Sequence, residues 1–172
     1  ADTDLFSPKK KKSKGDTAAS PVSKENLAIA KSWLASSDEY NLLVNGTAIT
    51  AFPVYYQNDL ALLRQSLRIV QAGTEVAEVK GKDLIPAHGL AMSRLLKTSV
   101  FSTEALTYEQ AIAYLRKEAI VLPPSVPKGY VLVTYKEIPL GFVKNIGNRA
   151  NNLYPQEWRI RSGYLPDDIR TL

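Results

Sequence analysis

The sequence switches from a helix start to strand-like runs in its second half, and this switch constrains the fold more than any other feature. Thr107 and Gln110 have the spacing of a capping box, in which each side chain accepts a hydrogen bond from a free backbone amide at the helix start. Apolar residues follow on one side of the segment. We therefore predict a helix over residues 108–117.

Two strand-like runs follow this helix, after three prolines between residues 123 and 127 that interrupt the chain. Residues 130–135 and 138–143 flank Lys136-Glu137, which predicts a hairpin. Residues 158–161 are predicted to add a last short strand. A chain that passes from a helix into paired strands belongs to the mixed α and β class.

The first half of the chain alternates between the same two patterns. Leu27, Ala30 and Trp33 recur at helical spacing, which predicts an amphipathic helix that ends near Ser36 and packs on a sheet. Asn45-Gly46 lies between two apolar runs and predicts a hairpin whose two turn residues both have positive φ.

Glycines and a proline divide the middle of the chain into short elements. The predicted elements are a helix capped by Asn58 or Asp59, strands over residues 68–71 and 76–79, and a helix that starts at Pro86 and passes through Leu90 to Leu95.

Positive charge is in excess and is unevenly distributed. The chain has 22 lysines and arginines against 17 acidic residues, a net charge of +5, concentrated at residues 9–14 and again from Lys128 to Arg161. Such an excess favours polyanions through phosphate contacts and counterion release. The run at 9–14 is a solvated linker, a basic tether that strengthens RNA binding, or a nuclear-import signal.

The composition excludes several kinds of site. With 0 cysteines and 1 histidine, the chain has no disulfide, zinc knuckle, iron-sulfur cluster or cysteine nucleophile, and we expect no metal. Its apolar runs are far shorter than the roughly 20 residues that cross a bilayer, so we expect no membrane association and a cytoplasmic location.

The stretch from Thr107 to Pro166 resembles the PUA-like RNA-binding domain that ends the RsmF/YebU type of rRNA cytosine methyltransferase, within the Nop/Sun family. The resemblance rests on the segments YEQAIAYLRKE, KGYVLVTYKEIPLGFVKNIGNRANNLYP and WRIRSGYLP. Just upstream, the segment LRIVQAGTEVAEVKGKDLIPAHGLAMS is similar to the intermediate domain of the same enzymes. The two segments occur in the order that the family has.

The resemblance implies an α+β architecture in three parts. Residues 1–22 are predicted to be a flexible basic linker, and residues 23–102 a small mixed α/β intermediate domain. Residues 103–172 are predicted to form a PUA-like, β-barrel-type RNA-binding domain with flanking helices.

The resemblance also implies that catalysis belongs to a different domain from the one that binds RNA. The family's catalytic domain binds S-adenosylmethionine and uses two cysteines, neither of which exists in this chain. We therefore expect no enzyme activity and no cofactor here. The expected parent is an S-adenosylmethionine-dependent rRNA (cytosine-C5) methyltransferase, and the expected partners are rRNA and the N-terminal methyltransferase domain in cis.

One glycine-rich, basic segment is the first candidate binding site. Gly141, Lys144, Gly147, Asn148 and Arg149 combine cations with glycine turns whose amides can donate hydrogen bonds to a phosphate. The resemblance places the segment in the family's PUA hairpin, so Lys144 and Arg149 are predicted phosphate ligands. The alternative is a solvated loop in which the glycines serve only the turn.

The residues that follow this segment complete the candidate RNA-binding set. Asn151, Asn152 and Tyr154 offer amide hydrogen bonds and a ring for an unpaired base, although Tyr154 also suits packing. Arg159 and Arg161 lie on one face of the predicted last strand, facing RNA or only solvent.

Two further alternatives are weighed against RNA binding. His88 lacks a neighbouring nucleophile or metal cluster in the sequence, so we interpret it as a helix-start residue that orients the backbone and not as a catalytic group. The whole chain is alternatively a protein-interaction module that docks on the catalytic domain or a ribosomal protein. A self-contained small enzyme is disfavoured because no paired acids or nucleophile with a base occur.

Overall fold

The structure, a computed structural model, describes residues 22–163. The lysine-rich start and residues 164–172, the end of the predicted PUA-like domain, lie outside the described residues. Sixteen short helical and strand elements, of which eight are strands, follow one another through the described part.

The first half forms one antiparallel sheet with three helices. Its strands are paired in chain order, and each neighbour is antiparallel to the next. The elements are α1 (Lys24–Ser32), β1 (Tyr40–Asn45), β2 (Ala48–Pro53), α2 (Gln57–Ser66), β3 (Thr74–Lys80), β4 (Asp83–Pro86) and α3 (His88–Ala91).

The second half forms another four-stranded sheet and one helix. The elements are β5 (Ser102–Ala105), α4 (Tyr108–Leu115), β6 (Gly129–Tyr135), β7 (Ile138–Asn145) and β8 (Ala150–Asn152). The sheet order is β5-β6-β7-β8, with β5 parallel to β6 and the other neighbours antiparallel. The connection from β5 to β6 contains α4, because parallel neighbours need a crossover.

The two sheets share side chains because both faces of the β6–β7 hairpin are buried. Leu132 and Phe142, paired across the hairpin, pack into the core of the first sheet. Val131 and Val143, which point to the opposite face, pack under α4 instead. Phe101 connects the halves further, since its ring lies 4.8 Å from that of Phe142.

Several predicted elements are confirmed. In α4 the Thr107 hydroxyl accepts from the Gln110 amide at 3.2 Å, and the Gln110 side chain accepts from the Thr107 amide at 3.0 Å. The β6–β7 hairpin turns at Lys136 and Glu137, both with positive φ. The first helix packs on a sheet through Ala30, although it ends at Ser32 and not near Ser36.

The hairpin at Asn45-Gly46 is confirmed, but its turn differs from the predicted one. Asn45 pairs with Ala48, so the two turn residues are Gly46 and Thr47. Gly46 has a φ of 60°, whereas Thr47 is not among the residues with positive φ. One glycine in the first turn position therefore suffices.

Three predictions for the middle segment are wrong. Residues 68–71 form no strand, and Val70 is 94% exposed, because no neighbouring strand pairs with them. Pro86 ends strand β4 and does not start a helix, which an edge strand tolerates because it leaves one side unpaired. The helix after it, α3, ends at Ala91 and does not reach Leu95.

Two local predictions are wrong, and in both places the structure has a 3-10 turn. Helix α2 begins at Gln57 after a 3-10 turn, so Asn58 and Asp59 lie inside the first helical turn and do not cap it. Likewise, residues 158–161 form no strand, since Gln156–Trp158 is a 3-10 turn and irregular chain follows it.

The β-barrel and the domain boundary remain predictions. The described strands form two four-stranded sheets, and the pairing gives a mixed α+β fold. Closure of the second sheet into a barrel and a division between residues 102 and 103 are not established by this pairing. The shared packing of Leu132 and Phe142 means that the two halves are joined by a common core.

Candidate nucleic-acid interface

The turn between β7 and β8 presents cations to solvent. The Ile146 amide donates to the Arg149 carbonyl at 3.0 Å and closes the turn. Gly147 has a φ of 105°, and a Cβ there would lie 2.8 Å from Cε of Lys128, so the glycine lets the lysine stem lie across the turn. We call Lys128, Gly147, Asn148 and Arg149 the open end; all four are exposed.

The cations of the open end have no acidic partner within residues 22–163. The ion pair found in that range joins Lys144 to Asp83 and leaves Lys128 and Arg149 unpaired. The Gly147 amide, in contrast, is already used, because it donates to Oδ1 of Asn145 at 3.0 Å. The open end therefore offers two side-chain cations and no free Gly147 amide to an anion.

Asn145 and Lys128 are functional candidates that sequence reasoning missed. Asn145 is buried, and its Nδ2 donates to the carbonyls of Val126 and Pro127 at 3.0 and 3.1 Å, so it fixes the chain before β6 against the turn. The pairing of Gly129 with Asn145 then brings Lys128 to the turn. From the sequence, Lys128 could be recognised only as one cation of a basic region. Its position beside Gly147 depends on the strand register, which the sequence does not reveal.

Lys144 is held differently from the cations of the open end. Its ammonium lies 2.7 Å from the Asp83 carboxylate of β4 and 5.5 Å from the ring centroid of Tyr130. The hydrogen bond to Asp83 raises the pKa of Lys144. This predicted phosphate ligand is therefore one partner of a contact between the two sheets, with its side chain 35% exposed.

Asn152 and Tyr154 were predicted to contact RNA through the side-chain amide and the ring. In the structure, both of these groups make contacts within the protein instead. Asn152 Nδ2 donates to the carbonyls of Tyr114 and Glu118 at 2.8 and 2.9 Å, at the end of α4. Its Oδ1 accepts from the Tyr154 amide at 2.9 Å. The Tyr154 ring lies 5.5 Å from that of Tyr114, which matches the packing alternative, whereas Asn151 is exposed.

Arg159 and Arg161 lie together although the predicted strand is absent. Both line a cavity of about 400 Å³, together with Arg116 and Glu118. Nη2 of Arg116 donates to the Ser162 carbonyl at 3.0 Å, which ties the last described residues to the end of α4. Arg159 and Arg161, both predicted to bind RNA, thus share one surface. This surface lies at the end of α4, whereas the open end lies at the turn between β7 and β8.

Gly141 and His88 lie at a contact between the sheets and not at the open end. Gly141 is buried with a φ of 145°, and a Cβ there would lie 2.1 Å from Oη of Tyr114 and 2.9 Å from Nδ1 of His88. The Tyr114 hydroxyl donates to the Phe142 carbonyl at 3.2 Å, and burial raises the pKa of Tyr114. We call His88, Tyr114, Gly141 and Tyr154 the aromatic seam.

His88 is the first residue of α3, as predicted, but it packs against rings. Its ring lies 5.1 Å from that of Tyr154 and 5.4 Å from that of Trp158. Nδ1 is buried without a hydrogen-bond partner among residues 22–163, so it orients no backbone group there. Burial lowers the pKa of His88, which keeps the imidazole neutral near pH 7.

The described residues contain neither a metal-binding cluster nor a membrane-spanning helix. No group of three or more histidine, cysteine or acidic side chains is placed to hold a metal ion in that part of the chain. None of the helices described between residues 22 and 163 has the length and apolar character that crossing a bilayer requires.

Known proteins include relatives of the second half of the chain. A family model described as the methyltransferase RsmF PUA domain matches residues 101–160. The ribosomal RNA small subunit methyltransferase F of Enterobacter sp. (strain 638) is 29% identical over 138 residues, which are 80% of this chain and 27% of that protein.

The chain is similar to RsmF-type methyltransferases over most of its length, and residues 101–160 match the PUA domain of that type. The protein of the same name from Shigella boydii serotype 4 is 26% identical over 160 residues, 93% of this chain and 30% of that protein. These matches confirm the resemblance found in the sequence, and the longer ones extend beyond the PUA domain. This chain spans less than a third of the length of these curated relatives.

Proposed function

We propose that this chain binds structured rRNA through its PUA domain and positions it for a methyltransferase domain that the chain itself does not contain. The methyltransferase would be S-adenosylmethionine-dependent and specific for C5 of cytosine, as the resemblance implies. The observation that carries the proposal is the open end, where Lys128 and Arg149 stand exposed on a buried hairpin without an acidic partner in residues 22–163.

Physical reasoning favours the open end as the place where phosphates bind. A cation that is fixed on a rigid scaffold and is not already paired releases counterions when it meets a phosphate, without first breaking an ion pair. Lys144 has to exchange Asp83 for the phosphate, so we propose it as a secondary ligand. Arg159 and Arg161 form a second proposed contact, and Asn148 lies beside Arg149 on the turn.

The proposal is tested by replacing Lys128 and Arg149 together with glutamine. Affinity for a fragment of small-subunit rRNA is measured by fluorescence anisotropy at several salt concentrations. We expect weaker binding at every salt concentration. The slope of log affinity against log salt should decrease by roughly 1 to 2, because each lost phosphate contact removes about one released counterion.

A matched control separates a site from net charge. Lys31 and Lys97 are both exposed and lie near Trp33, and replacing them with glutamine removes the same charge. We expect this control to change the slope far less. Equal losses in the two double variants, or no salt-dependent binding by the unaltered chain, would contradict the assignment.

A second candidate function, docking on another protein, is favoured by an apolar surface around α2. Helix α2 buries Leu60 but leaves Leu62 and Leu63 exposed. Tyr55 before it is 85% exposed, and Val70 after it 94%. Several large apolar side chains exposed in one segment of a chain are typical of interaction surfaces. The proposed occupant is the methyltransferase domain in cis.

Docking predicts a specific change in hydrogen exchange. Amides of α2 should exchange more slowly in a longer protein that includes the methyltransferase region than in this chain, whereas amides of the β7–β8 turn should not change. Unchanged exchange in α2 would remove this second function and leave RNA binding unaffected.

A further inference from the structure

A cleft between the two halves lies apart from the open end and uses none of its residues. It has a volume of about 610 Å³, within the range of roughly 300–1,000 Å³ that holds small ligands. Strand β3 and the start of α3 form one side, and the segment after β8 forms the other. Six of the lining residues carry the argument: Glu75, Glu78, Lys80, His88, Lys117 and Trp158.

Trp158 supplies an aromatic surface at this cleft. Its ring packs at 78° against His88, which holds it from one side, yet the residue remains 60% exposed. Trp33, the other tryptophan, is 6% exposed and belongs to the core. A ring that is held but still accessible suits stacking by a planar ligand.

Glu75 supplies a carboxylate without a partner. The residue is half-buried and lines the cleft, and its carboxylate makes no hydrogen bond or ion pair with any residue in the described range 22–163. Burial, and secondly the charge of Glu78, raise the pKa of Glu75. A desolvated carboxylate gains from a ligand that donates N–H groups, and two neighbouring carboxylates repel a phosphate.

Cations stand at the margins of the same cleft. Lys80 pairs across the ladder with Asp83, the partner of Lys144, so one end of the cleft adjoins that ion pair. Lys117 donates to the Tyr154 carbonyl at the other side. A ligand with N–H donors in its centre and negative charge at its ends fits this arrangement better than a uniformly basic peptide does.

We propose that the cleft holds one unpaired RNA base that bears an exocyclic amino group, stacked on Trp158 and donating its amino hydrogens to Glu75. The proposal rests on RNA binding as the function of the chain, and adds a base-reading position to phosphate contacts that carry no sequence information. Uracil, which has no exocyclic amino group, is disfavoured at this position.

Tryptophan fluorescence of the whole chain tests the proposal. The probes are pentauridylates whose central residue is cytidine, adenosine, guanosine or uridine. We expect the three amino-bearing probes to quench Trp158 and to bind at least several-fold more tightly than the all-uridine probe.

Three variants locate the effect. Trp158→Phe should remove the quenching while anisotropy still reports binding, and Trp158→Ala should weaken binding roughly fivefold or more, since stacking is worth about 1–3 kcal/mol per base. Glu75→Gln should reduce the preference over uridine while quenching persists. Glu109→Gln, an exposed glutamate of α4, is the charge-matched control and should retain the preference.

The outcomes separate this inference from the proposed function. Salt-dependent binding of the rRNA fragment without quenching of Trp158 or preference among pentamers overturns the base site and leaves the function standing. No binding of any RNA overturns both. Quenching by an arginine-rich peptide, with none by the pentamers, assigns the cleft to a protein partner and also overturns the inference.

Discussion

The open end and the aromatic seam are built from one stretch of chain and have opposite surroundings. Gly147 and Arg149 lie on an exposed turn beside Lys128, whereas Gly141, six residues earlier, is buried against Tyr114 and His88. Lys144 lies between these positions and is paired with Asp83. The comparison teaches that a glycine-rich basic segment is not one site, because burial divides it into a part that joins the sheets and a part that faces solvent.

The largest expected effect tests whether Gly141 belongs to the seam. Gly141→Ala should lower the free energy of unfolding by about 3 kcal/mol, because its Cβ meets Oη of Tyr114 at 2.1 Å and the backbone is strained for an L side chain. Urea denaturation measures the change.

Gly129→Ala is the matched control for that experiment. Gly129 also has positive φ, 119°, but no heavy atom lies within 4 Å of the position of its Cβ. This variant should lose only about 1 kcal/mol, the cost of backbone strain. Equal losses would mean that strain and not packing against Tyr114 explains Gly141.

The next effect concerns two adjacent asparagines. Asn152→Ala should lower the free energy of unfolding by about 2 kcal/mol, because it leaves the carbonyls of Tyr114 and Glu118 without their donor. Asn151→Ala, at an exposed position, should stay within about 0.5 kcal/mol. If Asn152→Ala weakened RNA binding and left thermal stability intact, Asn152 would belong with the open end.

A smaller effect is expected at the ion pair between the halves. Asp83→Asn should raise affinity for the rRNA fragment a few-fold and steepen its salt slope by about 1, because it releases Lys144 for a phosphate. Stability should change by less than about 1 kcal/mol, since the pair is partly exposed. Asp59→Asn on α2 is the charge-matched control. Reduced affinity in Asp83→Asn would show that Lys144 serves only the contact between the sheets.

The smallest effect is a pH dependence at His88. Burial lowers the pKa of His88 in the folded state. As the pH decreases through the unfolded value of about 6.5, the unfolded chain therefore binds a proton more readily than the folded chain, and the free energy of unfolding decreases. The melting temperature should therefore decrease from pH 7.5 to 5.5 less in His88→Phe than in the unaltered chain. The difference isolates His88, because the chain has 1 histidine and the acidic residues are the same in both proteins. Identical decreases would contradict this role.

Elements with strong local determinants were predictable, and elements that depend on a partner strand were not. The capping box of Thr107 and Gln110 and the hairpin around Lys136-Glu137 are decided by residues a few positions apart. Strands β5 and β8 were missed because each is short and exists through its pairing with a neighbour. Residues 68–71 show the reverse, a strand-like composition without a partner.

The candidate site was predictable in location but not in detail. Sequence placed Arg149 and Asn148 on a basic turn, where they are exposed. It could not reveal Lys128 beside Gly147, or that Asn152 uses its amide to hold the end of α4. Those contacts join residues far apart in the chain, and their geometry follows from register and packing.

By itself the sequence determined the mixed class, the helix at Tyr108–Leu115, both hairpins, the surplus of positive charge and the resemblance to an RsmF-type C-terminal region. Only the tertiary structure decided which glycines and cations face solvent. The physical reason is that a residue's type sets what it can bind, whereas its burial and its neighbours set whether that capacity is already used within the protein.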